Sequence, residues 1–108
     1  MKTESQIVLI QNSVYRRLVF EDLIFVEVTG YMLTCWLEGG ETYFICRSLK
    51  CFKESLPSEF IQISRAKIVN FGKVIKFDKK SRVITLADKS KHKVSVRQIP
   101  IVLKAFND

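Results

Sequence analysis

The sequence predicts a mainly β domain of short antiparallel strands, with one short internal helix and a short C-terminal helix. Three observations carry this reading. Runs rich in β-branched and aromatic residues recur along most of the chain and are separated by Gly, Asn, Ser and Asp turn signals. Only one internal stretch spaces its apolar residues as a helix would. The 108 residues, 47% hydrophobic and 27% charged, suit a single globular domain spanning 1–108 with its own core.

The elements follow in order. Ile7 to Ile10 and Val14 to Phe20 are strand-like runs parted by Asn12-Ser13. Leu23 to Val28 is almost continuously apolar, as a central strand covered on both faces would be, and it ends at Thr29-Gly30. Met32 to Leu37 and Thr42 to Cys46 form a hairpin around Glu38-Gly39-Gly40-Glu41, whose glycines supply the turn. Ser48 then caps a helix whose Leu49, Phe52 and Leu56 share one face, and Pro57-Ser58 ends it. After an apolar strand, a polar turn and a second apolar stretch up to Asn70, the runs Val74 to Asp78, Val83 to Leu86 and Lys91 to Val96 read as a meander. Its turns fall at Lys79-Lys80-Ser81 and Ala87-Asp88-Lys89. Alternation places Lys91, Lys93 and Ser95 on one face of the last strand and His92, Val94 and Val96 on the other. Pro100 opens a final helix through Phe106, since proline in a first turn forfeits no hydrogen bond.

Charge is divided along the chain. Residues 1–60 hold six Lys/Arg and eight Asp/Glu, a balance of −2; residues 61–108 hold twelve and three, a balance of +9, and the total is +7. A basic domain with its positive charge gathered in one half has the footprint of a nucleic-acid binder. Catalysis finds little support. The single histidine, His92, sits between lysines with no nearby acid in sequence to orient it, Asp22 and Glu27 face opposite sides of a strand-like run, and no Gly-rich phosphate loop exists. Cys35, Cys46 and Cys51 lack the C-x-x-C spacing of a zinc site and read as reduced thiols, with Cys51 exposed. No cofactor, metal or small-molecule substrate is therefore expected. The N-terminal Met1 to Gln6 precedes only four apolar residues, and no apolar run approaches the ~18 residues of a membrane span, so the expectation is a cytoplasmic protein without membrane contact.

The turn Ser64-Arg65-Ala66-Lys67 lies between two apolar stretches, Phe60 to Ile63 and Ile68 to Asn70. It offers hydroxyl, guanidinium and ammonium donors, which suit a phosphate or a base edge. Asn70, before Phe71-Gly72, reads as a turn residue of the scaffold. Trp36 and most phenylalanines fall in strand patterns and read as core. Tyr31, Phe71 and Phe77 are the aromatics with basic neighbours, which leaves a small opening for single-stranded nucleic acid.

Taken in order, Asp22-Leu23-Ile24-Phe25-Val26-Glu27, Gly30-Tyr31, Ser48-Leu49-Lys50, Leu56-Pro57, Phe60, Ile68-Val69-Asn70 and Val94-Ser95-Val96-Arg97 resemble the LytTR DNA-binding domain of bacterial response regulators, from about Arg16 to Phe106. The resemblance implies an elongated β domain that binds duplex DNA with loops entering successive major grooves. It implies base reading by Tyr31 and Met32, by Ser64 and Arg65, and by Arg97. Phosphate contacts are implied for Ser48, Lys50, Lys67, Arg82 and Gln98. It further implies direct repeats occupied by two copies on adjacent sites, in a transcriptional regulator of a two-component system. The residue types agree: arginine can pair bidentately with guanine, whereas lysine meets phosphates without choosing a sequence.

The chain departs from the commoner family pattern at Arg65-Ala66-Lys67, where a tyrosine often precedes Ile-Val-Asn, and at Gln98, often a basic residue. Tyr31-Met32 suits packing against a thymine methyl or sugar. The alternative function is a protein-interaction or inhibitory module that retains the fold without a DNA site of its own.

Overall fold

The computed structural model describes residues 6–108; Met1–Ser5, part of the segment read as lacking a secretory leader, lie outside the described residues. Among the described residues ten strands form three antiparallel sheets. Strands β1 (Gln6–Gln11) and β2 (Val14–Val19) form a hairpin. Its two connecting residues, Asn12 and Ser13, both have positive φ, the backbone that a tight hairpin with native twist demands.

Strands β3 (Leu23–Thr29), β4 (Met32–Leu37), β5 (Thr42–Ile45), β6 (Phe60–Ser64) and β7 (Lys67–Asn70) make a five-stranded sheet in the order β5-β4-β3-β7-β6. Helix α1 (Leu49–Lys53) links β5 to β6. Strands β8 (Val74–Asp78), β9 (Val83–Leu86) and β10 (Lys91–Lys93) form the predicted meander, and α2 (Ile99–Asn107) closes the chain. The extents, 46 × 37 × 25 Å, are those of an elongated domain.

The nearly continuous apolar run of β3 is explained by its place at the centre of the sheet. One face packs Leu23, Val26, Leu33 and Ile68 against the β1–β2 hairpin and α1, through Leu9, Leu18 and Phe52. The other packs Ile24, Phe25, Ile63 and Val69 against the meander and α2, through Ile84, Leu86, Val94 and Val102. A register shift between Leu23 and Phe25 breaks the alternation, so that the adjacent Ile24 and Phe25 belong to the same core. Each fully buried aliphatic side chain contributes roughly 1.5–3 kcal/mol, so the two cores, not the strand propensities, hold the layers together.

Two local expectations change. Helix α1 stops at Lys53, short of Leu56, because Ser55 and Leu56 turn back with hydrogen bonds to the Phe52 and Lys53 carbonyls; Leu56 still packs on the first core. Strand β10 ends at Lys93, and Val96 is 66% exposed in a 3-10 turn (Val96–Gln98) instead of sharing the buried face of His92 and Val94. Cys46 is exposed as well as Cys51, while Cys35 is buried and its thiol is pushed up to about 12 by loss of hydration.

Asn70 is a buried scaffold residue. Its Nδ2 donates to the Leu23 carbonyl at 2.9 Å, and its Oδ1 accepts from the Gly72 N–H at 2.9 Å. It thereby ties the end of β7 to the start of β3.

A chain of polar groups crosses between the sheets. Trp36 Nε1 donates to Glu27 Oε2 at 3.0 Å, and Glu27 Oε1 lies 3.6 Å from Lys67 Nζ. Lys67 Nζ in turn donates to His92 Nδ1 at 2.9 Å; since lysine has no acceptor, His92 is the tautomer protonated on Nε2. That N–H donates to Ser90 Oγ at 2.8 Å, and the Ser90 hydroxyl donates to Asp88. His92, 5% exposed, also lies against the Phe25 ring with centroids 4.3 Å apart. The structure thus supplies carboxylates that sequence proximity did not reveal. Burial first, and the Lys67 charge second, lower the His92 pKa from 6.5 to about 4, with Asp88 and Glu27 opposing.

Two stability predictions follow from these contacts. Asn70→Ala strips partners from one carbonyl and one N–H, and should cost about 2 kcal/mol in urea denaturation at pH 7. For His92 the unfolded state takes up its proton near pH 6.5 and the folded state only near 4. Its contribution is therefore complete above pH 6.5 and is lost as pH falls toward 4, by on the order of 2 kcal/mol after allowing for solvent screening. Denaturation midpoints measured from pH 7 to 4 should drop in this window, and His92→Gln should flatten the drop.

Candidate nucleic-acid interface

The strand register decides which loops meet. Thr29 pairs with Met32, Leu33 with Ile45, and Glu27 with Lys67, which in turn pairs with Ser64. The β3–β4 turn, the end of β5 leading to α1, and the β6–β7 turn therefore lie at one end of the five-stranded sheet. The opposite end, marked by the pairs Leu23–Leu37, Trp36–Thr42 and Phe60–Asn70, carries the exposed acids Glu21, Asp22, Glu38, Glu41 and Glu59. Cations stand among these acids, since Lys73 Nζ lies 2.7 Å from Glu38 Oε2 and Arg16 and Arg17 line a hollow with Asp22, Glu38 and Glu41, so this acid-rich end is mixed in charge while the first end is basic.

At the basic end the β3–β4 connection is a two-residue turn. Gly30 has φ +64°, a left-handed backbone that any other L residue would enter at a cost. This turn thrusts Tyr31 fully into solvent, 101% exposed, while Met32 is half-buried at the start of β4. In the β6–β7 hairpin, Ser64 Oγ accepts from the Ala66 N–H at 3.2 Å, and Gln62 Nε2 donates to the Ser64 carbonyl at 2.9 Å. Val28 N–H donates to the Ala66 carbonyl at 2.8 Å, which fastens the turn to β3. Arg65 is left exposed on a braced loop.

The Arg97 segment is brought to the same place by one backbone and one side-chain hydrogen bond. Ser95 N–H donates to the Ile63 carbonyl at 2.9 Å, and Gln98 Nε2 donates to the Gln62 carbonyl at 2.7 Å. Arg97 is exposed between these anchors. Arg82, at φ +61°, closes the β8–β9 connection; its carbonyl accepts from the Val94 N–H at 2.7 Å and its Nη1 donates to the Val94 carbonyl at 3.3 Å.

The expected site residues thus share one end of the molecule but differ in freedom. Tyr31, Arg65, Arg97 and Lys50 are exposed. Ser48 is exposed, with its Oγ accepting the Cys51 N–H at 3.1 Å as the α1 cap. Gln98 and Arg82 use part of their donor capacity to hold loops in place. Lys67 is the most committed, bound between Glu27 and His92 with its side chain 24% exposed. Phe71 and Phe77 pack against the second core and do not join Tyr31, so no aromatic platform forms from these three. Two cations at this end were not singled out from sequence: Arg47, whose guanidinium lies 5.9 Å from the Phe52 ring centroid, and Lys93, exposed beside the β6–β7 turn. The alternation of Lys91 and Lys93 about His92 was the signal available for the latter.

No helix among the described residues is long and apolar enough to cross a membrane. No curated protein sequence matches the chain. Among solved structures, a LytTr DNA-binding domain from Bacillus cereus superposes with a TM-score of 0.81 at 20% identity, covering 98% of this chain and 100% of that one, which establishes a shared fold. The sequence pattern of the LytTr DNA-binding domain matches residues 13–107. With that match spanning nearly the whole chain, this protein belongs to the LytTR family of DNA-binding domains.

Proposed function

We propose that this domain is the output module of a transcriptional regulator and reads a specific duplex sequence by placing three loops in successive major grooves. The convergence of three braced loops at one basic end, with the guanidinium groups of Arg65 and Arg97 free, carries this reading. Membership of a DNA-binding family makes DNA the partner, and the charge division orients the basic end toward it.

The division of labour follows from geometry and donor type. Arg65 and Arg97 read bases, each able to form a bidentate pair with guanine O6 and N7. Ser64 assists beside Arg65, and Tyr31 with Met32 supplies apolar contact to a thymine methyl or a sugar. Lys50, Arg82, the Ser48 hydroxyl and Gln98 face phosphates, where they fix register and give affinity without sequence choice. Lys67 reaches a phosphate only by leaving Glu27 and His92. Backbone anchoring of the loops matters as much as the side chains, since a donor on a fixed loop loses less entropy on binding. Two copies on direct repeats would place two such ends along one face of the duplex.

The test starts from a binding site enriched from a pool of randomised duplexes. Arg65→Ala and Arg97→Ala should each relax discrimination at one base position by roughly 1–3 kcal/mol. Lys50→Ala should weaken enriched and random duplexes about equally and lower the slope of log K against log salt by about 0.9. Equal losses on both duplexes for the arginine variants would remove the base-reading assignment. Failure of the unaltered protein to bind any duplex at low salt would instead favour the interaction module.

A further inference from the structure

An open groove runs along the basic end between the β6–β7 turn and the segment after β10. One wall carries Ser64, Ala66 and Lys67 with Glu27 and Val28 behind them; the other carries Lys93 and Ser95. The bond from Ser95 N–H to the Ile63 carbonyl holds the walls together. Two serines and two lysines line this opening, but the two lysines are not equivalent.

Lys67 is electrically spent. Its ammonium lies 3.6 Å from Glu27 Oε1 and donates to His92 Nδ1 at 2.9 Å, over the Phe25 ring at 5.7 Å. Glu27 is itself oriented by the Trp36 N–H at 3.0 Å, so the carboxylate stays where the lysine needs it. The Glu27–Lys67 pair presents no net charge to DNA, and moving Lys67 onto a phosphate would leave a carboxylate facing the anionic backbone. Lys93 lies on the outer face of β10, opposite the buried His92, is exposed, and has no carboxylate within ion-pair distance among the described residues.

We infer that this groove is a phosphate subsite in which Lys93 supplies the charge and Ser95 a hydroxyl donor, while Lys67 is a positioning residue neutralised by Glu27. The inference deepens the DNA-binding reading and rests on it. Lys67 then acts from within: it links β7 to β10 through His92 and holds the Arg65 turn against the Arg97 segment. The net +7 of the chain already counts this pair as zero, so the cations of this end that can meet the backbone of DNA are one fewer than its lysines and arginines.

The experiment is a fluorescence-anisotropy titration of a labelled random duplex over a series of NaCl concentrations, with the full chain and three variants. Lys93→Gln, a surface change that spares the fold, should lower the slope of log K against log salt by about 0.9, one phosphate's worth. The charge-balanced double variant Glu27→Gln/Lys67→Gln should leave the slope within about 0.2 of the original. Glu27→Gln alone should raise it by up to about 0.9, because it frees Lys67 while glutamine still accepts from Trp36; a purely structural role for Glu27 would not steepen a salt dependence. Circular dichroism melts of the variants check that each is folded. A slope unchanged by Lys93→Gln, or a loss of about 0.9 in the double variant, overturns the assignment while duplex binding by the unaltered chain keeps the DNA-binding reading standing. Absence of duplex binding by the unaltered chain overturns both.

Discussion

The structure depends on β3 being paired on both edges and covered on both faces. Its edges are taken by β4 and β7, and its faces support two separate cores. Because β4 and β7 both run antiparallel to it, their turns emerge at the same end, and the loops that carry Tyr31 and Arg65 become neighbours. The second core then draws in the meander and α2, and with them the Arg97 segment. The candidate interface is thus a consequence of how one strand is buried.

Polar groups set the finer positions. Asn70 fixes β7 to the start of β3, while the chain from Trp36 through Glu27, Lys67, His92 and Ser90 to Asp88 stitches the five-stranded sheet to the meander. Both are costly to leave half-made, since a buried donor or acceptor without a partner loses its hydration for nothing. Rigid loops are what DNA recognition requires, as base discrimination depends on donors held at set places along the groove. The Glu27–Lys67 ion pair belongs to the same polar chain and fixes the β6–β7 turn beside β3.

Electrostatics show the same coupling between topology and function. A charge balance of −2 followed by +9 along the chain is a one-dimensional fact. Folding gathers exposed cations such as Arg47, Arg65, Lys93 and Arg97 at one end of the sheet, while the five acids in or beside connections at the other end stand among Arg16, Arg17 and Lys73. Such an asymmetric field steers one end toward a polyanion before any contact forms.

Sequence alone determined the class of fold, the extent of nearly every strand, the caps and turns, and the family, because each of these is written in short-range pattern: alternation, a Ser before a helix, glycines at a hairpin. The apolar run of β3 announced a doubly covered strand, and Asn70-Phe71-Gly72 announced a scaffold turn. Tertiary structure decided what depends on distant partners. The bulge that puts Ile24 and Phe25 in one core, the exposure of Val96 and the early end of α1 each reflect neighbours that no local window contains. Above all, Lys67 reads in sequence as a free cation and in the fold as half of an ion pair, since Glu27 lies forty positions away along the chain and one strand away in the sheet. A side chain's type is local, but its charge state toward a partner is set by whatever the fold brings within a few ångströms.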